Sequence, residues 1–389
     1  MDELITIYRD LLNQVNTGFI RYLYKDIDWN ARLISIIGAR GTGKTTLLLQ
    51  HIKLKKIEDE SLYVSVDNIY FSRNNLFSLA GSFYKYGGKY LFIDEVHKYR
   101  NWSQEIKNIY DSYPGLHVVF TGSSILDIYK GFGDLSRRAL PFILHGLSFR
   151  EFLLFEAGIQ VKTVSLETLC KGNRVFEIRK PLPLFKDYLK HGYYPFYKEG
   201  QFALRIHAMI NTILEVDIPK YMGLKTASID KLKLLLQIIT ESSPFKPNMS
   251  KIAEMMEVSR NILPDYFYYL ERTNLVLLLK SNTKGIRALG KPAKVYLNNT
   301  NLMSVLSPKD KNTGNIRETF FLNQLSVAHS CTLPVSGDFL VDGRFLFEVG
   351  GKNKSRKQIA GNEHAYVVKD DIEYGYGNSI PLWYFGMLY

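Results

Sequence analysis

Four positions in the stretch GARGTGKT (38–45) carry the clearest chemistry in this chain: Gly38, Gly43, Lys44 and Thr45. Together they complete the pattern G-x-x-x-x-G-K-[ST], whose task is to hold a polyphosphate. The glycines let the backbone approach phosphate oxygens, so that the amides of Ala39, Arg40, Gly41, Thr42 and Gly43 point inward as donors. A helix starting at this point adds a partial positive charge of roughly +0.5. Lys44 would reach the β- and γ-phosphates, the Thr45 hydroxyl would ligate Mg²⁺, and Thr46 would follow against the nucleotide.

A second group lies in YLFIDE (90–95), where four strand-forming residues end in two adjacent carboxylates. A parallel strand neighbouring the first would deliver both at its carboxyl end, beside the loop, where open α/β sheets bind ligands. Asp94 would then hold Mg²⁺ through water, and Glu95 would polarise the attacking water. Further on, LHVVFTGSS (116–124) ends in small polar residues. Ser123 or Thr121 would sense the γ-phosphate there; alternatively the run Thr-Gly-Ser-Ser caps the next helix. In GFGDLSRRAL (131–140), Arg137 and Arg138 precede a final strand. One of them, with Arg138 slightly preferred, would serve as an arginine finger on the γ-phosphate of a neighbouring subunit, which implies a homo-oligomer. Adjacent arginines that are simply solvated or ion-paired are the other reading.

These residues need particular elements to position them. LISII (33–37) supplies an apolar strand into the glycine loop, and TLLLQHI (46–52) leaves it with helical spacing. SLYVSVD (61–67), LHVVFTGSS and PFILHGLS (141–148) read as further strands, separated by helical stretches such as 102–110. That alternation predicts an α/β fold with a parallel sheet. The strand falling between the loop and Asp94 suggests that an extra strand is inserted there.

With 389 residues, two to three domains are expected. No apolar run approaches the ~18 residues of a membrane span. The charged start MDELITIYRD has no signal-peptide profile, and Cys170 and Cys331 offer neither a disulfide framework nor a zinc quartet. A reducing cytoplasmic setting is expected, with no membrane partner.

The segments GARGTGKT, FIDEVHKYRNWSQEIK, VVFTGSS and GLSFREFL resemble those of bacterial and archaeal AAA-superfamily P-loop ATPases that carry a C-terminal domain of unknown function. FKDYLKHGYYP (185–195), KPAKVYLNN (291–299) and GNIRETFFLNQL (314–325) extend the resemblance over most of the chain. It implies an ATPase core, a winged-helix segment and a restriction-endonuclease-like terminal domain. It also implies ATP rather than GTP, in keeping with the lack of a guanine-reading N-K-x-D element near the core. The division expected is 1–155 for the ATPase core, 156–225 for a helical lid or connector, 226–300 for a winged helix-turn-helix, and 301–389 for the terminal domain.

Residues 229–280 support the winged helix from their own pattern. A first helix precedes MSKIAEMMEV, a turn follows at Val258 and Ser259, and NILPDYFYYLERTNLVLLL gives a third helix and a strand. Arg260 and Asn261 would stand near the start of that third helix, the usual place for base contacts. Pro264 is tolerable only within its first turn or so. Between 272 and 309 there are seven basic residues and no acidic one: Arg272, Lys280, Lys284, Arg287, Lys291, Lys294 and Lys309. In a chain of net charge +12, this stretch points to phosphate contact with double-stranded DNA, a structural packing module being the alternative.

The terminal segment has three acidic positions of a nuclease core in Glu318, Asp338 and Glu348, but Gly350 stands where the metal-site lysine belongs. Lys352 is the nearest lysine, and shares the face of Glu348 only if strand pairing continues through two glycines. A scaffold that has lost its cleavage chemistry is expected. Three readings of the whole follow: an ATP-hydrolysing switch, an ATP-regulated DNA-binding protein with little turnover, and an ATP-controlled metal-dependent nuclease. The first is preferred.

Overall fold

The computed structural model describes residues 1–122, 133, 135–172, 175–222, 226–282, 291–307, 312–359 and 361–389. The chain divides into two units, Met1–Gly146 and Leu147–Tyr389.

In the first unit five short strands form one parallel sheet: β1 (Leu33–Ile37), β2 (Ser61–Ser65), β3 (Tyr90–Asp94), β4 (His117–Gly122) and β5 (Leu140–Ile143). Their order is β2-β3-β4-β1-β5. Every residue of β1 is buried, as befits a strand covered on both faces. Helices α1 (Asp2–Gln14), α2 (Lys44–Lys55), α3 (Leu76–Lys85) and α4 (Trp102–Ser112) join these strands in one core. Leu47, Leu48 and Ile52 of α2 pack there with Ile34, Ile36, Phe92 and Phe120. Burying each such side chain contributes about 1.5–3 kcal/mol. Asn75 starts α3 by accepting the Ser78 amide at 2.7 Å, which satisfies one of the helix's unpaired donors.

The α/β fold with an inserted strand is present, and the sheet order identifies that strand. It is β4 that lies between β1 and β3, whereas β2 occupies the outer edge beyond β3. The Asp94 strand is therefore not the neighbour of the loop strand. Chain order misleads here because parallel crossovers can skip a place that a later strand fills.

The second unit begins with a capping box: the Ser148 hydroxyl accepts the Glu151 amide at 3.1 Å, and the Glu151 carboxylate accepts the Ser148 amide at 3.3 Å. The helix it opens, α5 (Phe149–Ala157), buries Phe149 and Phe152 in a core with Phe185, Phe320 and Trp383. Phe149 and Phe152 therefore belong to the core of the second unit. Further on come α6 (Thr226–Ser242), α7 (Met249–Met255) and α8 (Leu263–Arg272), then the antiparallel pair β6 (Val276–Ser281) and β7 (Lys294–Leu297). Pro264 sits in the first turn of α8, where no backbone donor is lost.

After α9 (Thr300–Leu306) and α10 (Thr313–Leu325) the chain forms β8 (Cys331–Leu333), β9 (Phe339–Val341), β10 (Phe345–Gly350), β11 (Ala365–Lys369) and β12 (Ser379–Pro381). These join β6 and β7 in one mixed sheet of order β12-β11-β10-β9-β8-β6-β7. The strand pair after the three helices thus continues into the terminal sheet through the parallel contact of β6 with β8. Among the described residues, no helix is long and apolar enough to cross a membrane.

Candidate nucleotide site

The glycine loop follows β1 directly and ends at the first residue of α2, Lys44. Gly38 has no room for a side chain, since a Cβ there would lie 2.3 Å from the Leu144 carbonyl oxygen. Gly43 caps the helix at φ 92°, a left-handed conformation costly to any other residue. Lys44 is buried, and its ammonium donates to the Gly38 and Ala39 carbonyls, both at 2.9 Å. The Thr42 hydroxyl donates to the Ala39 carbonyl at 3.0 Å. Arg21 braces the loop from outside it: one guanidinium nitrogen donates to the Thr42 carbonyl at 2.6 Å and the other to the His145 carbonyl at 2.7 Å.

Asp94, 2% exposed, is the centre of the second group. The Thr45 hydroxyl donates to its Oδ2 at 2.5 Å, and the Tyr63 hydroxyl donates to the same oxygen at 2.8 Å. Its Oδ1 accepts the Thr121 hydroxyl and, at 3.0 Å, the Glu95 amide. Sheet order explains this convergence. Asp94 ends β3; Tyr63 comes from β2 on one side and Thr121 from β4 on the other. Burial, and then the adjacent Asp94 carboxylate, push the Tyr63 phenol well above its ordinary pKa, so it remains a donor at any physiological pH.

Glu95 leaves the strand in a left-handed conformation, φ 58°. Its carboxylate lies 3.4 Å from His97 Nε2, 3.6 Å from Lys98 Nζ and 4.0 Å from the Arg40 guanidinium. A loop residue and the water-polarising candidate are thereby brought together.

A strand, a glycine turn and a helix start, with an acidic strand end one place removed in a parallel sheet, make a P-loop NTPase α/β fold. Residues 30–153 match the family model described as "AAA domain". That match spans most of the first unit and the first residues of the second. Residues 182–313 match a domain of unknown function, DUF8612. An uncharacterised protein of Methanocaldococcus jannaschii, MJ1637, is 27% identical over 265 residues, which cover 63% of this chain and 56% of that protein. The chain thus matches only a little over half of that relative's length. Among solved structures, the Walker-type ATPase paby2304 of Pyrococcus abyssi is 13% identical at a TM-score of 0.43, covering 71% of this chain and 91% of that one. AMPPCP-bound DnaA from Aquifex aeolicus is 14% identical at a TM-score of 0.32, covering 69% and 88%.

Around the glycine loop the other expected residues are distributed unevenly. Thr46 is exposed on the first turn of α2. Thr121 is turned onto Asp94, and Ser123 lies outside the described residues. Arg138 makes a two-point contact with Asp111 of α4, Nε to Oδ1 at 3.0 Å and Nη2 to Oδ2 at 3.1 Å, while Arg137 is exposed. Tyr63 and Arg21 carried no motif signal. Both contacts are made between residues distant in sequence: sheet order brings in Tyr63 from β2, and Arg21 reaches the loop from the segment before β1.

In the second unit the three expected carboxylates each have partners. Glu318 accepts Lys294 Nζ at 2.5 Å and the Tyr296 hydroxyl at 2.9 Å. Glu348, almost fully buried, has Lys354 Nζ 2.5 Å from its Oε1. Asp338 accepts the Val349 amide at 2.8 Å; burial, with Glu318 and Glu348 adding to it, pushes its pKa up to about 6. β10 ends at Gly350, and Lys352 is exposed beyond it. The lysine that reaches Glu348 is Lys354, whose stem lies where a side chain on residue 350 would be: a Cβ there would meet Lys354 Cδ at 2.6 Å. Among the described residues, no group of three His, Cys, Asp or Glu side chains is arranged to hold a metal ion.

Arg260 and Asn261 are exposed in the turn before α8. Of the seven basic residues between 272 and 309, Lys284, Arg287 and Lys309 lie outside the described residues. Lys294 is engaged by Glu318, and the Arg272 guanidinium lies 5.1 Å from the Tyr268 ring centroid.

Proposed function

We propose that this protein binds ATP with Mg²⁺ at the loop of residues 38–45, hydrolyses it, and uses the nucleotide state as a switch for its second unit. The observation that carries the reading is the joining of Thr45 to Asp94 across the intervening strand β4. A hydroxyl and a carboxylate sharing a contact at the mouth of a glycine loop are a donor set of hard oxygens, which suits Mg²⁺. Bound there, Mg²⁺ would neutralise charge on the β- and γ-phosphate oxygens.

The chain's own groups divide the remaining work. The loop amides and the start of α2 receive the phosphates. Lys44 leaves the Gly38 and Ala39 carbonyls for the phosphate oxygens. Glu95 orients the attacking water, once its carboxylate is drawn from His97, Lys98 and Arg40. Thr121 keeps the Asp94 carboxylate in place. In this reading an arginine finger falls to Arg137, because Arg138 is committed to Asp111; hydrolysis then depends on assembly into a homo-oligomer.

Within the second unit we read 226–300 as a winged helix and 301–389 as a restriction-endonuclease-like scaffold, joined to the ATPase core by the connector 156–225. The order of three helices and an antiparallel strand pair supports the first assignment. Exposed Arg260 and Asn261 support a second reading, in which ATP regulates contact with double-stranded DNA and turnover is slow. The pairing of Glu318 with Lys294 and of Glu348 with Lys354 argues for a scaffold without metal-dependent cleavage. ATP hydrolysis measured with and without duplex DNA separates the two main readings. Several-fold stimulation supports the coupled switch; nucleotide-dependent DNA affinity with little turnover supports the regulator.

A further inference from the structure

We propose that Tyr63 is a positioning residue that holds the Asp94 carboxylate ready for Mg²⁺, an inference that rests on the nucleotide-site reading above. Asp94 receives four protein donors, two on each oxygen. Those on Oδ1, from Thr121 and the Glu95 amide, can stay when a nucleotide arrives. On Oδ2 the situation differs, because Thr45 is needed as a ligand and must turn its hydroxyl toward the metal. Its departure removes one donor from a carboxylate that is 2% exposed and has almost no solvent to replace it.

Tyr63 then remains as the donor on that oxygen. Its ring is itself buried, 5% exposed, and its hydroxyl reaches Asp94 from the edge strand at 2.8 Å. Position 63 pairs in register with Phe92, so the tyrosine spans the diagonal to a residue two places on. Only a long side chain with a terminal donor makes that contact. The hydroxyl keeps Oδ2 from swinging after Thr45. Tyr63 touches neither phosphate nor water in this scheme and acts only through Asp94.

The test is equilibrium binding of a fluorescent, non-hydrolysable ATP analogue to the full-length protein, titrated with Mg²⁺ and repeated in EDTA. Tyr63→Phe keeps the ring and removes the donor; Tyr63→Met, flexible enough to fill the same space, is the second hydroxyl-free variant. Affinity in EDTA is expected to stay within about twofold of the unmodified protein. The Mg²⁺ concentration for half-maximal tightening is expected to rise about tenfold, the scale of one hydrogen bond to a charged acceptor. An unchanged Mg²⁺ dependence overturns the proposal, as does an equal loss of affinity with and without Mg²⁺, which would mark a merely structural role. If the unmodified protein binds the analogue without any response to Mg²⁺, or not at all, the nucleotide-site reading itself has failed.

Discussion

Thr45 on the first turn of α2 and Asp94 at the end of β3 share a hydrogen bond of 2.5 Å although a whole strand, β4, separates β3 from β1. The contact links the helix that follows the glycine loop to the acidic strand end. Asp94→Asn keeps the shape but replaces one acceptor oxygen with an amide, which would set a donor against the hydroxyls now pointing at it. Turnover is expected to fall about 10–100-fold, the range for groups that orient a metal's shell. Steady-state hydrolysis at saturating Mg²⁺ checks this, and a variant that retains full turnover would remove Asp94 from the site.

Arg21 offers a test of the loop's support. Arg21→Met preserves the stem but leaves the Thr42 and His145 carbonyls without their charged donor. Bonds to charged groups contribute about 1.5–3 kcal/mol each. A lowered melting temperature is expected, together with weaker nucleotide binding, because the Thr42 carbonyl belongs to the loop itself. Calorimetry and analogue titration read the two effects separately.

At Gly38 the prediction is steric. Gly38→Ala would press a methyl against the Leu144 carbonyl oxygen, at 2.3 Å. Overpacking of this kind typically costs about 1–3 kcal/mol. Since the strain falls on the loop, analogue affinity should fall along with the melting temperature.

Asp338 gives a pH-dependent expectation for the second unit. Its pKa is raised from 3.8 to about 6, chiefly by burial. Between these values the folded state holds a proton that the unfolded state has released, so this group's contribution to stability falls as pH rises through the window. Above about pH 6 the full penalty applies, on the order of 2–3 kcal/mol. Asp338→Asn keeps an acceptor for the Val349 amide and removes the charge. Denaturant melts should show the variant gaining on the unmodified protein at about pH 8, with the gain vanishing near pH 4. A gain independent of pH would contradict the assignment.

How far these features could be read in advance depended on the range of each interaction. The strand, glycine turn and helix of residues 33–55 are local, and their residue types have one structural use, so they were legible. So was Asp94, whose strand ends in a recognisable pair of carboxylates. Tyr63 was not, because its role depends on β2 lying beside β3, and the strand suspected of insertion proved to be the edge strand instead. Lys354 escaped for a different reason. Reading alternation forward from Glu348 leads to Gly350 and Lys352, but β10 stops at Gly350 and the chain turns back, with the Lys354 amide donating to the Gly351 carbonyl at 2.9 Å. The turn puts a lysine on Glu348 that strand periodicity places elsewhere. Arg138 showed the limit of residue type alone: its partner, Asp111, lies on a preceding helix and has no motif.

The most direct test is ATP hydrolysis by the purified protein compared with its Lys44→Ala variant, with binding of labelled ATP followed in parallel. The account predicts Mg²⁺-dependent release of phosphate that falls at least about a hundredfold in the variant, as expected when a charge that stabilises the transition state is removed. Turnover that is the same in both proteins, or unmodified protein that retains no labelled nucleotide, would contradict it.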